Sequence, residues 1–122
     1  MSGHRVHLVG AGGAGMSALG LLALRSGWTV SGTDREEGPA LVALREAGAD
    51  VRAGHGADAL PAHVDEVFAS SAIPGDNPEI QAARARGLSV ALADFELPEG
   101  TPLPWRWSVG MAGARGAGGF AP

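Results

Sequence analysis

The chain has 122 residues, the size of one ordinary domain, and the absence of cysteine excludes disulfides and thiolate metal sites. Hydrophobic residues make up 45 % of it, enough for one packed core, and the formal net charge of -4 argues against a nucleic-acid partner. No apolar run approaches the roughly 20 residues of a membrane span. The amino-terminal sequence lacks the pattern of a secretory signal, so we expect a cytoplasmic protein without a membrane partner.

Strands and helices are predicted to alternate from residue 5 to residue 92. The predicted strands cover residues 5–9, 28–31 (continuing to Asp34), 50–53, 65–70 and 88–92. The predicted helices run from the glycine-rich loop at residues 10–15 to Gly27, over residues 39–47, and from Asn77 to Gly87, with at most one helical turn over residues 57–60. This alternation indicates βαβ units, so we expect an α/β fold: a Rossmann-like open parallel sheet flanked by helices.

The character of the sequence changes at Pro98. The segment PEGTPLPWRW carries three prolines and two tryptophans, and SVGMAGARGAGGFAP follows it. We therefore expect a domain over residues 1–97, and a connector, a short strand and a glycine-rich tail over residues 98–122. Trp105 and Trp107 are expected to pack against the edge of the sheet.

The loop between the first predicted strand and helix has the spacing G-x-G-x-x-G. In this context Gly10 allows a tight turn, Gly12 lets the backbone approach a phosphate, and Gly15 lets the helix pack closely on the strand. The free N–H groups and partial positive charge of the helix N-terminus favour an anion there. The loop thus predicts a diphosphate site, but its spacing alone does not distinguish NAD from another diphosphate.

Polar side chains follow the second and fourth predicted strands. Asp34 lies where an acidic residue can accept hydrogen bonds from ribose hydroxyls, although it could instead cap the turn over residues 35–38. Ser70 and Ser71 lie at the carboxyl edge, where they could contact phosphate or ribose or form local turn bonds. For Asn77 the pattern favours a helix cap over a ligand contact. On this geometry alone, a dinucleotide-binding site is the favoured prediction.

Four motifs add a family resemblance. They are GAGGAGMS (10–17), SGTD (31–34), GAD followed by GH (48–50 and 54–55), and SSAIPGDNPEI (70–80). In this order and spacing they resemble the N-terminal domain of the Mur ligases, in the branch of the UDP-N-acetylmuramate–L-alanine ligases and murein peptide ligases. The resemblance covers about residues 4–92.

The resemblance implies a function for the loop. In these ligases a Rossmann-like first domain binds the UDP part of the muramic-acid substrate, a central domain binds ATP and magnesium, and a third helps to bind the amino acid. The chain would then be the UDP-N-acetylmuramate-binding domain of an ATP-dependent peptidoglycan-precursor ligase, with the remaining ligase domains as partners. The implied UDP-binding residues are Gly10, Gly12, Gly13, Ala14, Gly15, Met16, Ser17, Asp34, His55, Ser70, Ser71 and Asn77.

Several alternatives stay open at this point. His55 could be a surface histidine without a function. The domain could also bind NAD(P) in an oxidoreductase, or serve as a nucleotide sensor. No pattern of side chains predicts a catalytic residue or a metal ligand.

The glycine-rich tail contains a counterpart of the family's ATP-binding loop, on which ligation would depend. Residues 112–119 resemble the family's ATP loop A-G-T-H-G-K-T-T, with Ala117 at the lysine and Gly118 at the magnesium-binding hydroxyl. The chain contains no lysine to replace it, and Arg115 lies at the wrong offset. We therefore expect no ATP or magnesium bound to this chain and no ligation by it alone.

Overall fold

The computed structural model describes residues 3–92, which form a parallel sheet with helices on both faces. The strands are β1 (Arg5–Val9), β2 (Thr29–Asp34), β3 (Asp50–Ala53), β4 (Glu66–Ala69) and β5 (Val90–Leu92), in the order β3-β2-β1-β4-β5. The helices are α1 (Ala14–Arg25), α2 (Pro39–Glu46) and α3 (Pro78–Ala85), and Ala57–Ala59 forms a single 3-10 turn. The predicted fold class is confirmed, and every strand and helix predicted between residues 5 and 92 occurs.

The central strand β1 divides the core between the two faces of the sheet. Successive side chains of a strand point to opposite faces. Val6 and Leu8 pack in a cluster that includes apolar side chains of α1 and α2, whereas Val9 belongs to a second cluster with Ile80 and Ala83 of α3. His7, which shares the α3 side with Val9, is completely buried. The first face is thus apolar, and the second has a buried polar residue at its centre.

Two glycines allow the close approach of elements on the apolar face. A Cβ on Gly32 would lie 2.7 Å from the carbonyl oxygen of Leu8, a backbone atom that cannot move aside cheaply. A Cβ on Gly20 would lie 2.8 Å from Cδ2 of Leu44 and 3.0 Å from Cδ1 of Leu8. Glycine at these positions therefore brings β2 against β1, and α1 against α2 and the sheet, a role that the sequence analysis did not assign to them.

The ends of α3 follow the predicted capping pattern. Asn77 Oδ1 accepts a hydrogen bond from Glu79 N–H at 2.8 Å, and Pro78 takes the first helical position. At the other end Gly87 has a φ of +74° and Leu88 N–H donates to the Ala83 carbonyl at 2.9 Å. These bonds fix where the helix begins and ends, so they also fix the position of Glu79 in its first turn.

The predicted domain boundary at residue 97 and the predicted connector and tail lie outside the described residues, as do the two tryptophans and the ATP-loop counterpart. Within residues 3–92, no helix has both the length and the apolar character needed to cross a membrane.

Candidate functional site

A cleft of about 470 Å³ opens at the carboxyl edge of the sheet. Strands β2 and β3 lie on one side of β1, and strands β4 and β5 lie on the other side. The strand order therefore reverses between β1 and β4. In open α/β sheets the crevice at such a reversal is the usual ligand site. The lining residues come from the loops after four of the strands and from the start of α3, and they are Gly10, Gly13, Asp34, Arg35, His55, Ser70, Ala72, Ile73, Pro74 and Asn77.

Gly10 forms the tight turn that the motif predicts. Its φ is +93°, a conformation that favours glycine, and its N–H donates to the carbonyl of Thr33 at 2.8 Å. The N–H of Ala11 donates to the same oxygen at 2.8 Å, which ties the loop to the end of β2. A Cβ on Gly10 would lie 3.2 Å from the Cβ of Ser70, so a side chain here would also crowd the loop after β4.

The hydrogen bonds of the loop use its own N–H groups and leave those in the first turn of α1 without a partner among residues 3–92. The N–H of Gly12 donates to Oδ2 of Asp34 at 2.8 Å, and the N–H of Gly13 donates to the Gly10 carbonyl at 3.2 Å. The first hydrogen bond within α1 runs from Ser17 N–H to the Gly13 carbonyl at 2.8 Å. The N–H groups of residues 14–16 precede this bond and, as in any helix, have no intrahelical partner. They lie at the positive end of a 12-residue helix.

Asp34 lies directly against the glycine loop. A Cβ on Gly12 would lie 2.8 Å from Oδ2 of Asp34, so the missing side chain makes room for this carboxylate. The other oxygen, Oδ1, accepts a long bond of 3.4 Å from the N–H of Glu36, which is the turn contact that the sequence analysis weighed. Asp34 also lines a smaller depression of about 200 Å³ that extends to the N-terminus of α2. The carboxylate therefore separates two concave surfaces.

The loop after β4 forms the opposite wall of the cleft. Ser70 lines the cleft, but its Oγ also accepts a hydrogen bond from Ala72 N–H at 3.2 Å, so the local turn bond is present. Ile73 and Pro74 add an apolar surface. Ser71 is exposed and does not line the cleft.

The start of α1 holds predicted site residues whose side chains point into the core. The side chains of Met16 and Ser17 are buried, and Ser17 Oγ donates to the Ala14 carbonyl at 3.0 Å. The structure thus brings six of the predicted residues together around the cleft: Gly10, Gly13, Asp34, His55, Ser70 and Asn77. Ala14, Gly15 and Met16 can contribute through their backbone N–H groups, whereas the N–H of Gly12 is bonded to Asp34, and the N–H and hydroxyl groups of Ser17 both have partners in α1 or its cap.

Arg35 is a cleft residue that the sequence analysis missed. It is exposed, lines the cleft beside Asp34, and forms no hydrogen bond or ion pair with another described residue. A guanidinium with no partner among residues 3–92 is suited to an anionic ligand, because it can donate two parallel hydrogen bonds to phosphate oxygens. Its position directly after Asp34 is a signal that the sequence already contained.

A buried carboxylate lies beneath the cleft. Glu79 is fully buried and accepts hydrogen bonds from His7 Nε2 at 2.6 Å and from Thr33 Oγ1, 2.8 Å from one oxygen and 2.9 Å from the other. It also accepts from the N–H of Gly56 at 3.0 Å and contacts Nδ1 of His55 at 3.1 Å. These contacts join β1, β2, the loop after β3 and α3 at one carboxyl group.

The surroundings of Glu79 keep it ionised. Burial raises the pKa of the carboxyl group, but hydrogen bonds from His7, Thr33 and the Gly56 N–H together outweigh burial and hold the pKa below its ordinary value of 4.5. Neither Glu79 nor His7 was predicted as a site residue from the sequence. The missed signal was the register: His7 pairs with Ser31, so buried polar residues stand side by side on neighbouring strands, and Ser31 Oγ lies 2.7 Å from His7 Nδ1.

A depression of about 610 Å³ lies at the opposite, amino edge of the sheet. It is larger than the cleft, and its lining includes Arg5, His63, Asp65 and Arg86. The guanidinium of Arg86 donates to the carbonyls of Pro61 and Ala62, and the carboxylate of Asp65 accepts from the Arg5 N–H. These polar groups are thus used within the fold, and ligands of open α/β sheets bind at the carboxyl edge. We therefore take the smaller cleft as the site. Within residues 3–92, no group of three or more His, Asp or Glu side chains is arranged to hold a metal ion.

Comparisons with known proteins agree with the resemblance in the motifs. The model of the Mur ligase family, catalytic domain, matches residues 5–95. The UDP-N-acetylmuramate–L-alanine ligase of Rhodococcus erythropolis is 49 % identical over 94 residues, which cover 72 % of this chain and 18 % of that protein.

Solved structures give the same result. The crystal structure of UDP-N-acetylmuramate–alanine ligase from Thermotoga maritima superposes with a TM-score of 0.69 at 35 % identity, covering 72 % of this chain and 20 % of that one. The murein peptide ligase from Psychrobacter arcticus gives a TM-score of 0.67 at 29 % identity, covering 73 % and 19 %. The chain thus spans about a fifth of the length of the curated relatives that it matches. The family match over most of its length shows that the chain belongs to the Mur ligase family.

Proposed function

We propose that this domain binds the UDP part of UDP-N-acetylmuramate and presents the substrate to a ligase that adds an amino acid to it. The observation that carries this proposal is the cleft where the strand order reverses, bordered by the free N–H groups of the first turn of α1, in a member of the Mur ligase family. The relatives in the comparison are named for UDP-N-acetylmuramate, which is why we choose a uridine diphosphate over a nicotinamide dinucleotide.

The diphosphate is expected to bind at the N-terminus of α1. The N–H groups of residues 14–16 are available there, whereas those of residues 10–13 are already bonded to Thr33, Asp34 and the Gly10 carbonyl. The helix dipole and the Arg35 guanidinium, which is unpaired within the described part of the chain, supply positive potential to a chain whose net charge is negative. The diphosphate is thus expected over residues 14–16, whereas the spacing of the glycines had suggested its approach at Gly12.

The nucleoside is expected to lie toward Asp34 and His55. Asp34 uses one oxygen for Gly12, and its other oxygen makes only a long bond of 3.4 Å, so it retains acceptor capacity for ribose hydroxyls. Both residues line the cleft. Ser70 lies on the facing wall, and its hydroxyl proton is available to a phosphate or ribose oxygen while its oxygen accepts from Ala72.

The complete reaction would need more than these residues. ATP, magnesium, the amino acid and a central domain are expected in a protein of the length of the relatives, and the remaining ligase domains would be the partners of this one. A cytoplasmic location is part of the same proposal, because a ligase of this class would draw on cytoplasmic ATP.

Calorimetric titration of the 122-residue chain with UDP-N-acetylmuramate, UDP and NADH tests the proposal. We expect both uridine compounds to bind and NADH not to bind. Arg35→Ala should weaken UDP binding about three- to tenfold, the range of one charge-assisted hydrogen bond in a partly exposed site. Arg84→Ala, which removes an exposed arginine in the last turn of α3, serves as the matched control. Preferential binding of NADH would contradict the proposal and support the oxidoreductase alternative.

A further inference from the structure

His55 is connected to the core by its Nδ1 atom. Nδ1 lies 2.8 Å from Oγ1 of Thr33 and 3.1 Å from Oε2 of Glu79. A carboxylate can only accept hydrogen bonds, and the single hydroxyl proton of Thr33 is directed to Glu79. Both partners of Nδ1 are therefore acceptors, so Nδ1 must carry the proton.

The other ring nitrogen of His55 is then an acceptor. In a neutral imidazole with a proton on Nδ1, Nε2 has a free lone pair. The ring lines the cleft with its side chain 18 % exposed, and Nδ1 faces the buried network, which leaves Nε2 on the cleft side. An acceptor in this position suits a hydroxyl or N–H group. It does not suit a diphosphate, which has acceptors only.

Glu79 itself is out of reach of the cleft. It is completely buried and does not line the cavity, and the donors around it come from His7, Thr33, His55 and the Gly56 N–H. An ionised carboxylate in the core carries a desolvation cost that an apolar side chain would not. Glu79 nevertheless affects the site, because it holds two neighbouring residues of the loop after β3, His55 through Nδ1 and Gly56 through its N–H.

We infer that Glu79 is a positioning residue that fixes His55 in the Nδ1-protonated form with Nε2 facing the cleft, where it accepts a hydrogen bond from the nucleoside of the bound UDP compound. The inference rests on the proposed function for the identity of the ligand. It assigns His55 to a ribose hydroxyl or base N–H and separates it from the diphosphate at α1. The role of Glu79 is orientation, without contact with the ligand.

The test compares Glu79→Gln with the wild-type chain at pH 8, above the ordinary histidine pKa of about 6.5. A glutamine amide replaces one acceptor oxygen with a donor, so it cannot accept from all the present partners. We expect UDP binding to weaken about tenfold and binding of inorganic diphosphate to stay unchanged. The ¹⁵N shifts of the His55 imidazole should move away from a pure Nδ1-protonated form. His55→Ala should lose as much UDP affinity, and the double variant should lose no more than either single one.

Two smaller changes keep the test valid if Glu79→Gln does not fold. Thr33→Val removes the hydroxyl that contacts both Glu79 and His55, and it should weaken UDP binding in the same way. Ser31→Ala removes a buried hydroxyl that contacts His7 on the far side of the network, and it should lower stability while UDP affinity is kept.

Two results would overturn the inference: an unchanged His55 tautomer in Glu79→Gln, or equal losses of UDP and diphosphate binding, which would indicate general damage to the loop. If the wild-type chain binds diphosphate but not UDP, the nucleoside contact is refuted. If it binds neither, the proposed function fails, and the ¹⁵N measurement still decides whether Glu79 fixes His55.

Discussion

The contact between Gly12 and Asp34 makes a specific prediction about why the second glycine of the loop is needed. In Gly12→Ala the new Cβ would lie 2.8 Å from Asp34 Oδ2, so the carboxylate has to turn away and lose its bond to the Gly12 N–H. A hydrogen bond to a charged group is worth about 1.5–3 kcal/mol, and the partial exposure of Asp34 favours the lower end. The φ of Gly12 is not positive, so alanine introduces no backbone strain there. Because alanine lowers the conformational entropy of the unfolded chain, it offsets about 0.4–1 kcal/mol of this loss. We expect a net loss of about 1 kcal/mol.

The assay is a double-mutant cycle measured by urea unfolding. In an Asp34→Ala background the obstacle is gone, so Gly12→Ala should be neutral or slightly stabilising, with a coupling of about 1–2 kcal/mol. Gly10→Ala is the control, because its φ of +93° imposes a cost of about 1–2 kcal/mol with or without Asp34. Equal losses from Gly12→Ala in the two backgrounds would refute the reasoning. If Gly12 were needed solely for the approach of a phosphate, Gly12→Ala would leave stability unchanged and lower UDP affinity alone.

Three further predictions concern the core, the buried carboxylate and catalysis. Gly20→Ala should lower the free energy of unfolding by about 1–3 kcal/mol, because its Cβ overpacks against Leu44 and Leu8; a neutral result in chemical denaturation would contradict the packing described here. The pKa of Glu79 is lowered on folding from its ordinary 4.5, so its ionised form stabilises the fold above about pH 4.5, and this contribution disappears as the pH falls through the lower folded-state pKa. The difference in free energy of unfolding between wild type and Glu79→Gln should therefore narrow below about pH 4.5. A difference that stays constant there would contradict the stabilising role of the ionised carboxylate. Lastly, the purified chain should release no phosphate from ATP with UDP-N-acetylmuramate, L-alanine and magnesium, since it contains no lysine for an ATP loop, and turnover would disprove this.

The elements of the fold could be predicted because their signals are local. Gly27, Gly48 and Gly87 each follow a helix, and apolar runs mark the strands, so boundaries agree with the structure to within about two residues, the usual uncertainty of helix and strand ends. The glycine loop was recognised from spacing, and its turn at Gly10 has the expected geometry. The parallel direction of the strands followed from their alternation with helices, whereas the strand order β3-β2-β1-β4-β5 was not predicted.

The interior of the site could not be predicted, because it depends on residues far apart in the sequence. His7 and Glu79 are 72 positions apart, and nothing local in either segment indicates their contact. For the same reason Gly12 was assigned to a phosphate, although its nearest neighbour in space is the carboxylate of Asp34, 22 positions later. Such contacts depend on how β1, β2 and α3 pack together in space, which local sequence signals do not specify.

The two faces of the sheet are held together by different interactions. The face under α1 and α2 is apolar and includes Leu8, Leu41 and Leu44, so burial of apolar area holds it together. The face under α3 instead holds the buried polar residues Thr33 and Glu79, which are hydrogen-bonded to each other. An apolar core there would hold the sheet, but it would leave the loop after β3 without the bond from Gly56 N–H to Glu79. Because Thr33 precedes Asp34 and the loop after β3 carries His55, the same carboxylate restrains two walls of the cleft. A buried polar network with its hydrogen bonds satisfied thus trades some stability for a site whose residues are held before the ligand arrives.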